Sequence, residues 1–329
     1  MASRVLVTGG GGFLGAAICR QLVERGDAVR SLARGDYPAL RALGVEARRG
    51  DAADRQAIED AVRGCDAVIH TAAKAGVWGE ERAYVRSNVE ATEAVIRACR
   101  SQGVGRLVFT SSPSVVAGSV PLRGVDESTP YPARYLAPYP RTKALAEQAV
   151  RAASGPQLRT VSLRPHLILG PGDPHLVPRL IDRARKGRLR LLGDGRNLVD
   201  VTYVEDAARA HLQALDALAR PDGPAGRVYF LSQGQPMALA ELLNRILNEV
   251  GLPRVHRRIS PALGYALGAA AEVVFRALRL PGEPPLTRFV AEELATDHYF
   301  DISAARRDLS YQPTLSVEEL TRLVGASLR

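Results

Sequence analysis

The chain has 329 residues, 46% of them hydrophobic, which is enough to bury a large core as one big domain or as a domain with a smaller lobe. Its formal net charge of +9 comes almost wholly from arginine, lysine standing only at 74, 143 and 186, and the arginines are spread through every segment, which argues against a dedicated nucleic-acid surface. Three scattered cysteines (Cys19, Cys65, Cys99) make neither a disulfide framework nor a metal-ligand pattern, no apolar run is long enough to cross a bilayer, and no signal segment precedes the first strand, so a reducing, cytoplasmic setting is expected.

The stretch Arg4 to Gly15 opens on a buried parallel strand, because Val5, Leu6 and Val7 are β-prone and unbroken by charge. Gly9, Gly12 and Gly15 follow at three-residue spacing. One permits the tight turn, one lets a pyrophosphate approach backbone N–H groups, and one lets the helix lie close to the sheet. A phosphate would sit at the helix N-terminus, where unpaired N–H groups and the dipole favour an anion. Ala16 to Arg25, closed by Gly26, supplies an amphipathic helix. The alternative is a flexible turn; a strand before and a helix after favour a dinucleotide site.

Ala28 to Leu32 is a second strand ending in Ala33-Arg34. An acidic residue near this point usually holds a free ribose 2′-hydroxyl; Ala33 cannot, whereas the Arg34 guanidinium suits a 2′-phosphate, so NADP(H) is expected over NAD(H). Val45 to Gly50 is a third strand closing on Asp51-Ala52, with Asp51 either an acceptor for an adenine amino group or a turn residue before a helix over 54–63. Asp66 to Ala73 is a fourth strand, and its small residues Thr71, Ala72 and Ala73 leave room for a flat ligand at the carboxyl edge. His70 reads as a core or rim histidine, and the loop Lys74 to Gly79, with Trp78, as a substrate wall. A helix over 81–102 carries Asn88.

Arg106 to Thr110 is a fifth strand running into Ser111-Ser112-Pro113-Ser114, hydroxyls that either face the crevice or simply make the turn. Pro138 to Lys143 opens a helix reaching Ala153, with Pro140 at the first helical position, Tyr139 at or just before the cap and Lys143 one turn later on the same face. With ten tyrosines and three lysines in the chain, a chance Tyr-x-x-x-Lys is expected only about 0.1 times. Leu158 to Leu169 is a sixth strand interrupted at Arg164-Pro165. Beyond it the alternation breaks into a helix over 177–186, a strand over 198–203 and a helix over 204–218. The locally dense Arg179 to Arg190 reads as a solvated helix face, with attraction of an acidic substrate or cofactor as the alternative. Pro261 to Leu280 is an amphipathic helix suited to a lid or a dimer contact, with a membrane surface as the alternative. The alternation predicts an α/β fold, a doubly wound parallel sheet of Rossmann type with a smaller C-terminal lobe. Residues 1–170 would form the dinucleotide-binding domain and 171–329 mainly a substrate lobe, some elements returning to the core.

These residues together resemble the extended short-chain dehydrogenases/reductases along the whole chain, through Thr8-Gly9-x-x-Gly12-x-x-Gly15, the Ser112, Tyr139 and Lys143 set, Arg164-Pro165, and the tail Asp301 to Leu309. Within that group the chain is similar to the branch of 3β-hydroxysteroid dehydrogenases and sterol-4-carboxylate dehydrogenases. It is most similar there to the bacterial 2-alkyl-3-oxoalkanoate reductases of olefin biosynthesis, through residues 72–79, 111–115, 139–150, 163–173 and 193–208. The resemblance implies NADPH-dependent reduction of a β-keto acid with alkyl chains. Tyr139 would be the general acid, Lys143 would lower its pKa and hold the nicotinamide ribose, and Ser112 would stabilise the alkoxide, with Ser111 left open as its substitute. Asn88 would anchor a proton-relay water. Gly9, Gly12, Phe13, Leu14, Arg34, Asp51, Ala52, Thr71, Ala72, Ala73 and Pro165 would line the cofactor. The resemblance further implies a homodimer through the long helices after the fourth and fifth strands, a β-lactone synthetase as pathway partner, and no metal. A steroid or sterol dehydrogenase, a nucleotide-sugar epimerase or dehydratase (Gly193-Asp194-Gly195) and a non-catalytic NADP-sensing protein are the alternatives.

Overall fold

The Val-Leu-Val run after Arg4 does form a strand buried on both sides: Val5 and Val7 contribute to one hydrophobic cluster and Leu6 to another. In a computed structural model, which describes residues 3–118 and 120–328, seven parallel strands build the main sheet. They are β1 (Arg4–Thr8), β2 (Ala28–Ala33), β3 (Glu46–Arg49), β4 (Ala67–His70), β5 (Arg106–Thr110), β6 (Arg159–Pro165) and β7 (Arg227–Leu231). They lie side by side in the order β3-β2-β1-β4-β5-β6-β7, the doubly wound Rossmann arrangement, in which the chain reverses direction across the sheet beside β1 and β4. The helices Phe13–Glu24 and Val204–Ala219 cover one face with Leu14, Ile18, Leu22, Ala207 and Leu215. Arg55–Val62, Ala91–Ser101 and Pro138–Ala153 cover the other with Ile58, Val95 and Val150. Both faces are dry, so the central strands read as apolar runs and not as alternating ones.

Short strands make the second layer. Leu122–Val125, His298–Phe300, Leu198–Val199 and Met237–Ala238 form a four-stranded sheet, over a separate core that includes Leu169, Val177, Leu180, Leu242, Ile246, Leu320 and Val324. The division at residue 170 is crossed in both directions. Leu122–Val125 joins the lobe sheet, whereas Val204–Ala219, β7 and Ser303–Leu309 pack on the main sheet.

The sequence-based boundaries shift for identifiable reasons. The first helix starts at Phe13 and not Ala16, because the glycine turn passes directly into the first helical turn. The fourth strand stops at His70, so Thr71, Ala72 and Ala73 leave the sheet as loop. The long sixth strand ends at Pro165 and resumes only as Ile168–Leu169, paired with Thr202–Tyr203 in a different sheet. Leu167 between them has φ 37°, a left-handed conformation that no extended strand accommodates. In the catalytic-motif helix, Ala137 is the cap and Pro138 the first residue, which moves Tyr139 and Pro140 inside the first turn. The helix over 81–102 is three pieces: Glu81–Tyr84, a π-helical turn Val85–Glu90 and Ala91–Ser101.

Candidate active site

Every loop that leaves the carboxyl ends of β1 to β4 opens on one cleft of ≈ 880 Å³, counted out to its open mouth. Gly9, Gly12, Phe13, Leu14, Arg34, Asp51, Ala52, Thr71, Ala72 and Ala73 all line it. The glycines are sterically required. Gly9 has φ 74°, and a Cβ at Gly15 would stand 2.2 Å from the Gly9 carbonyl oxygen. Gly12 caps the Phe13–Glu24 helix with no side chain to satisfy its first N–H groups, and no acidic residue occupies that turn, so the helix end fits an anionic pyrophosphate.

At the far end of the cleft the Arg34 side chain is exposed and makes no ion pair among the described residues; its carbonyl accepts from Arg49 Nε at 3.1 Å. Asp51 accepts the Ala53 N–H at 3.0 Å in the manner of a turn residue and pairs with Arg86 at 3.3 Å. Tyr37, which the sequence reading passed over, also lines the cleft and leaves no room for a side chain at Gly11.

The hydroxyl and amine groups sit beside this cleft, after β5. Ser112 caps the short Pro113–Val116 turn and bonds the Ser114 hydroxyl at 2.9 Å. The geometry separates the two serines: Ser111 is buried on the side of Glu147 with its hydroxyl unpaired, whereas Ser112 lies on the side of Tyr139. Desolvation pushes the Tyr139 phenol above its ordinary pKa, and the nearby Ser112 hydroxyl partly offsets that. Lys143 lies one turn on, buried, donating to the Thr110 carbonyl with its ammonium 4.2 Å from the centre of the Phe109 ring. Desolvation pulls Lys143 down to about 7, against the opposing charge of Glu147 one further turn along. Tyr139, Lys143 and Glu147 thus share a helix face at spacings of four.

Two elements lock this face. Arg164, at the end of β6, reaches Glu147 through Nε (2.9 Å) and Nη2 (2.6 Å), and both side chains are essentially inaccessible to solvent. Tyr131 donates to the same carboxylate at 2.6 Å. Pro165 is buried next to this pair at the strand end, outside the cleft lining. Asn88 sits in the π-helical turn. Its Oδ1 accepts the Lys74 N–H at 2.7 Å, and its Nδ2 donates to the Lys74 carbonyl (3.2 Å) and to Thr142 Oγ1 (3.0 Å). Both amide hydrogens are therefore used in tying the loop after β4 to the Tyr139 helix.

His70 is a core histidine. Thr92 donates to the Asn88 carbonyl, so the ring gives its Nε2 proton to Thr92 and accepts from Thr8 at Nδ1 (2.6 Å). Burial, with the charge of Lys143, lowers its pKa to about 3. His211 is likewise neutral, near 4, accepting from Thr110 at Nε2.

Residues 6–261 match the model of the 3-beta hydroxysteroid dehydrogenase/isomerase family. The chain belongs to that family. It is 52% identical over 326 residues to a 2-alkyl-3-oxoalkanoate reductase of Stenotrophomonas maltophilia, covering 98% of this chain and 99% of that protein. It is 33% identical to the mouse sterol-4-alpha-carboxylate 3-dehydrogenase, decarboxylating, over 97% of this chain and 89% of the other. Among solved structures it is similar to MoeE5 in complex with UDP-glucuronic acid and NAD (TM-score 0.77, 27% identity, 99% of each chain). Family membership and the carboxyl-edge cleft make the chain an extended short-chain dehydrogenase/reductase, an oxidoreductase acting on a CH–OH or ketone group. Among the described residues no helix is long and apolar enough to span a membrane.

Proposed function

We propose that the enzyme reduces a 2-alkyl-3-oxoalkanoic acid to the 2-alkyl-3-hydroxyalkanoic acid with NADPH, working as a cytoplasmic homodimer. The observation that carries the reaction type is the half-buried Tyr139, near Ser112 and followed one turn later on the same helix face by the buried Lys143, with a glycine-walled cleft at the carboxyl ends of the neighbouring strands. The named reductase at 52% identity supports the substrate. Gly9, Gly12, Phe13, Leu14, Thr71, Ala72 and Ala73 would hold the dinucleotide, Arg34 its 2′-phosphate and Lys143 the nicotinamide ribose. When bound, the nicotinamide supplies the hydride that reduces the ketone carbon.

The chain's own residues manage the oxygen. Tyr139, a phenol whose pKa desolvation raises still further above neutrality, gives its proton to the oxygen as negative charge develops there. Ser112 donates a second hydrogen bond to the same atom. The phenolate left behind is stabilised by the Lys143 ammonium one turn away, and that attraction also raises the lysine's hold on its own proton. Asn88 fixes the loop and the helix that frame this space.

The test is consumption of NADPH and NADH with a 2-alkyl-3-keto acid, a 3-ketosteroid and a 4-keto nucleotide sugar as separate substrates. Turnover of the keto acid with NADPH is expected to exceed the others by at least about tenfold, and Tyr139→Phe to lower it by about 10²–10⁴-fold with cofactor binding kept. Preference for the steroid or the sugar would overturn the substrate; full turnover by Tyr139→Phe would overturn the mechanism.

A further inference from the structure

The helix Pro261–Ala277 carries its apolar residues on the wrong side for a surface helix. Its inward positions are Gly264, Gly268 and Glu272. A Cβ at Gly268 would stand 2.7 Å from the Thr287 backbone, and Glu272 is gripped by the backbone N–H, Nε and Nη2 of Arg288 at 2.8–2.9 Å. Small and charged groups therefore face the protein. At 100° per residue, Leu263, Leu267, Ala270, Val273 and Val274 fall on an outward arc of roughly 120° that holds no charge. Leu263 and Leu267 are each 49% exposed, and Val273 is 66% exposed. Leu278, at 67%, and Leu280 prolong the strip beyond the helix end.

Both ends of this strip are basic. Arg254, Arg257 and Arg258 precede it, and Arg276 and Arg279 flank its C-terminal end. Pairing of Arg258–Ile259 with Leu191–Leu192 brings Arg188 and Arg190 alongside. None of these seven side chains forms a salt bridge among the described residues, although most other arginines of the chain do. A second copy of the chain is a poor occupant. With cations at both ends, parallel and antiparallel pairing alike would set arginine against arginine. A flat surface that is apolar in depth and anionic at its rim satisfies both features at once.

We propose that this helix docks the enzyme on an anionic lipid bilayer, lying in the interface plane with Leu263, Leu267, Val273 and Val274 among the acyl chains and the arginines at the headgroup phosphates. The docked helix abuts the catalytic region. Phe275 packs edge-on to Trp78 (ring centres 6.4 Å apart), the Arg276 guanidinium lies 5.1 Å from the Trp78 ring, and the Trp78 carbonyl accepts the Tyr84 hydroxyl. Docking does not depend on which ketone the enzyme reduces.

Co-sedimentation of the full chain with vesicles tests it, comparing pure phosphatidylcholine with two parts phosphatidylcholine to one part phosphatidylglycerol. Binding to the anionic vesicles is expected to be at least about tenfold tighter and to weaken as salt rises from about 0.1 M to about 0.5 M. Leu267→Asp with Val274→Asp should abolish it with the circular dichroism and melting temperature unchanged, these side chains being outside the core. Arg257→Gln with Arg258→Gln should weaken it several-fold without touching the apolar arc. Equal sedimentation with both vesicle types, or unaltered binding by the double Asp variant, would overturn the proposal. So would a wild-type dimer that the Asp variant converts to monomer while neither protein sediments with vesicles, which would hand the face to a second copy.

Discussion

Replacing Glu147 by Gln probes the element on which the whole Tyr139–Lys143 face rests. Arg164 and Glu147 are 1% and 0% exposed, and their two charge-assisted bonds hold β6 against the helix Pro138–Ala153. The amide keeps the shape but removes the charge, leaving a guanidinium in the core whose Nη1 already lacks a partner. Stranding one member of a buried pair costs about 3–5 kcal/mol. At roughly 2.1 cal/mol/K of unfolding entropy per residue, a chain of 329 residues would lose about 4–7 °C of melting temperature. Adding Arg164→Met removes the stranded charge and should recover most of that loss, so the double-mutant cycle has a large coupling term. A merely structural role would end there. Glu147 also opposes the desolvation that pulls Lys143 down to about 7, so the variant should hold less ammonium at neutral pH, and NADPH affinity should begin to fall at a lower pH than in the wild type. Scanning calorimetry and a cofactor titration by fluorescence at several pH values read the two effects. A melting shift under about 1 °C together with an unmoved pH profile would refute the reasoning.

Lys143 gives a second pH test. Its folded pKa of about 7 lies below the ordinary lysine value of 10.5, so between those values the unfolded chain binds more protons and the free protein gains stability as pH rises. An anionic cofactor favours the ammonium instead. Its binding should take up a proton above about pH 7, measurable by calorimetry in buffers of different ionisation enthalpy, and Lys143→Met should abolish the uptake. Arg34→Ala should weaken NADPH about 10- to 100-fold, since a charge-assisted bond contributes about 1.5–3 kcal/mol, and leave NADH unchanged; equal losses would remove Arg34 from the 2′-phosphate. Asp200, fully buried and accepting the Phe300 N–H at 2.9 Å, has its pKa raised by burial from 3.8 to about 6. Its stabilising contribution is complete below the unfolded value and is lost as pH rises through about 6. Asp200→Asn should therefore be the more stable protein at pH 7, by at most about 3 kcal/mol, with the difference vanishing below about pH 4 in urea titrations.

What could be read from residues alone was whatever local chemistry dictates. Buried parallel strands announce themselves as unbroken apolar runs, and in the glycine cluster Gly9 and Gly15 announce a backbone that tolerates no Cβ; both lie where expected, as does the four-residue spacing of Tyr139 and Lys143. Boundaries were missed where a long-range partner decides them. Nothing within Leu158 to Leu169 says that Ile168 will pair with Thr202 and not continue β6, and the left-handed Leu167 that permits the switch is imposed by that pairing.

The same distinction explains the site. A motif names the groups that meet the substrate and says little about what holds them. Glu147 completes the stripe begun by Tyr139 and Lys143, and Arg164-Pro165 stood out as an interruption in a strand, yet only the packing of β6 against the helix joins them into one ion pair. Asn88 is a parallel case. A continuous helix was expected around it, but π-helical turns concentrate at functional positions because they re-aim side chains at the cost of regular hydrogen bonding. Here the turn over Val85–Glu90 lets one amide reach the loop at Lys74 and Thr142 on the neighbouring helix together. Regular α-helical phase would carry the positions after the turn round by about 100° per inserted residue, so the bulge lets Asn88 reach the Lys74 loop and Thr142 while Val95 and Ile96 still face the core. Restoring regularity by deleting one residue from that turn would sacrifice one of the two.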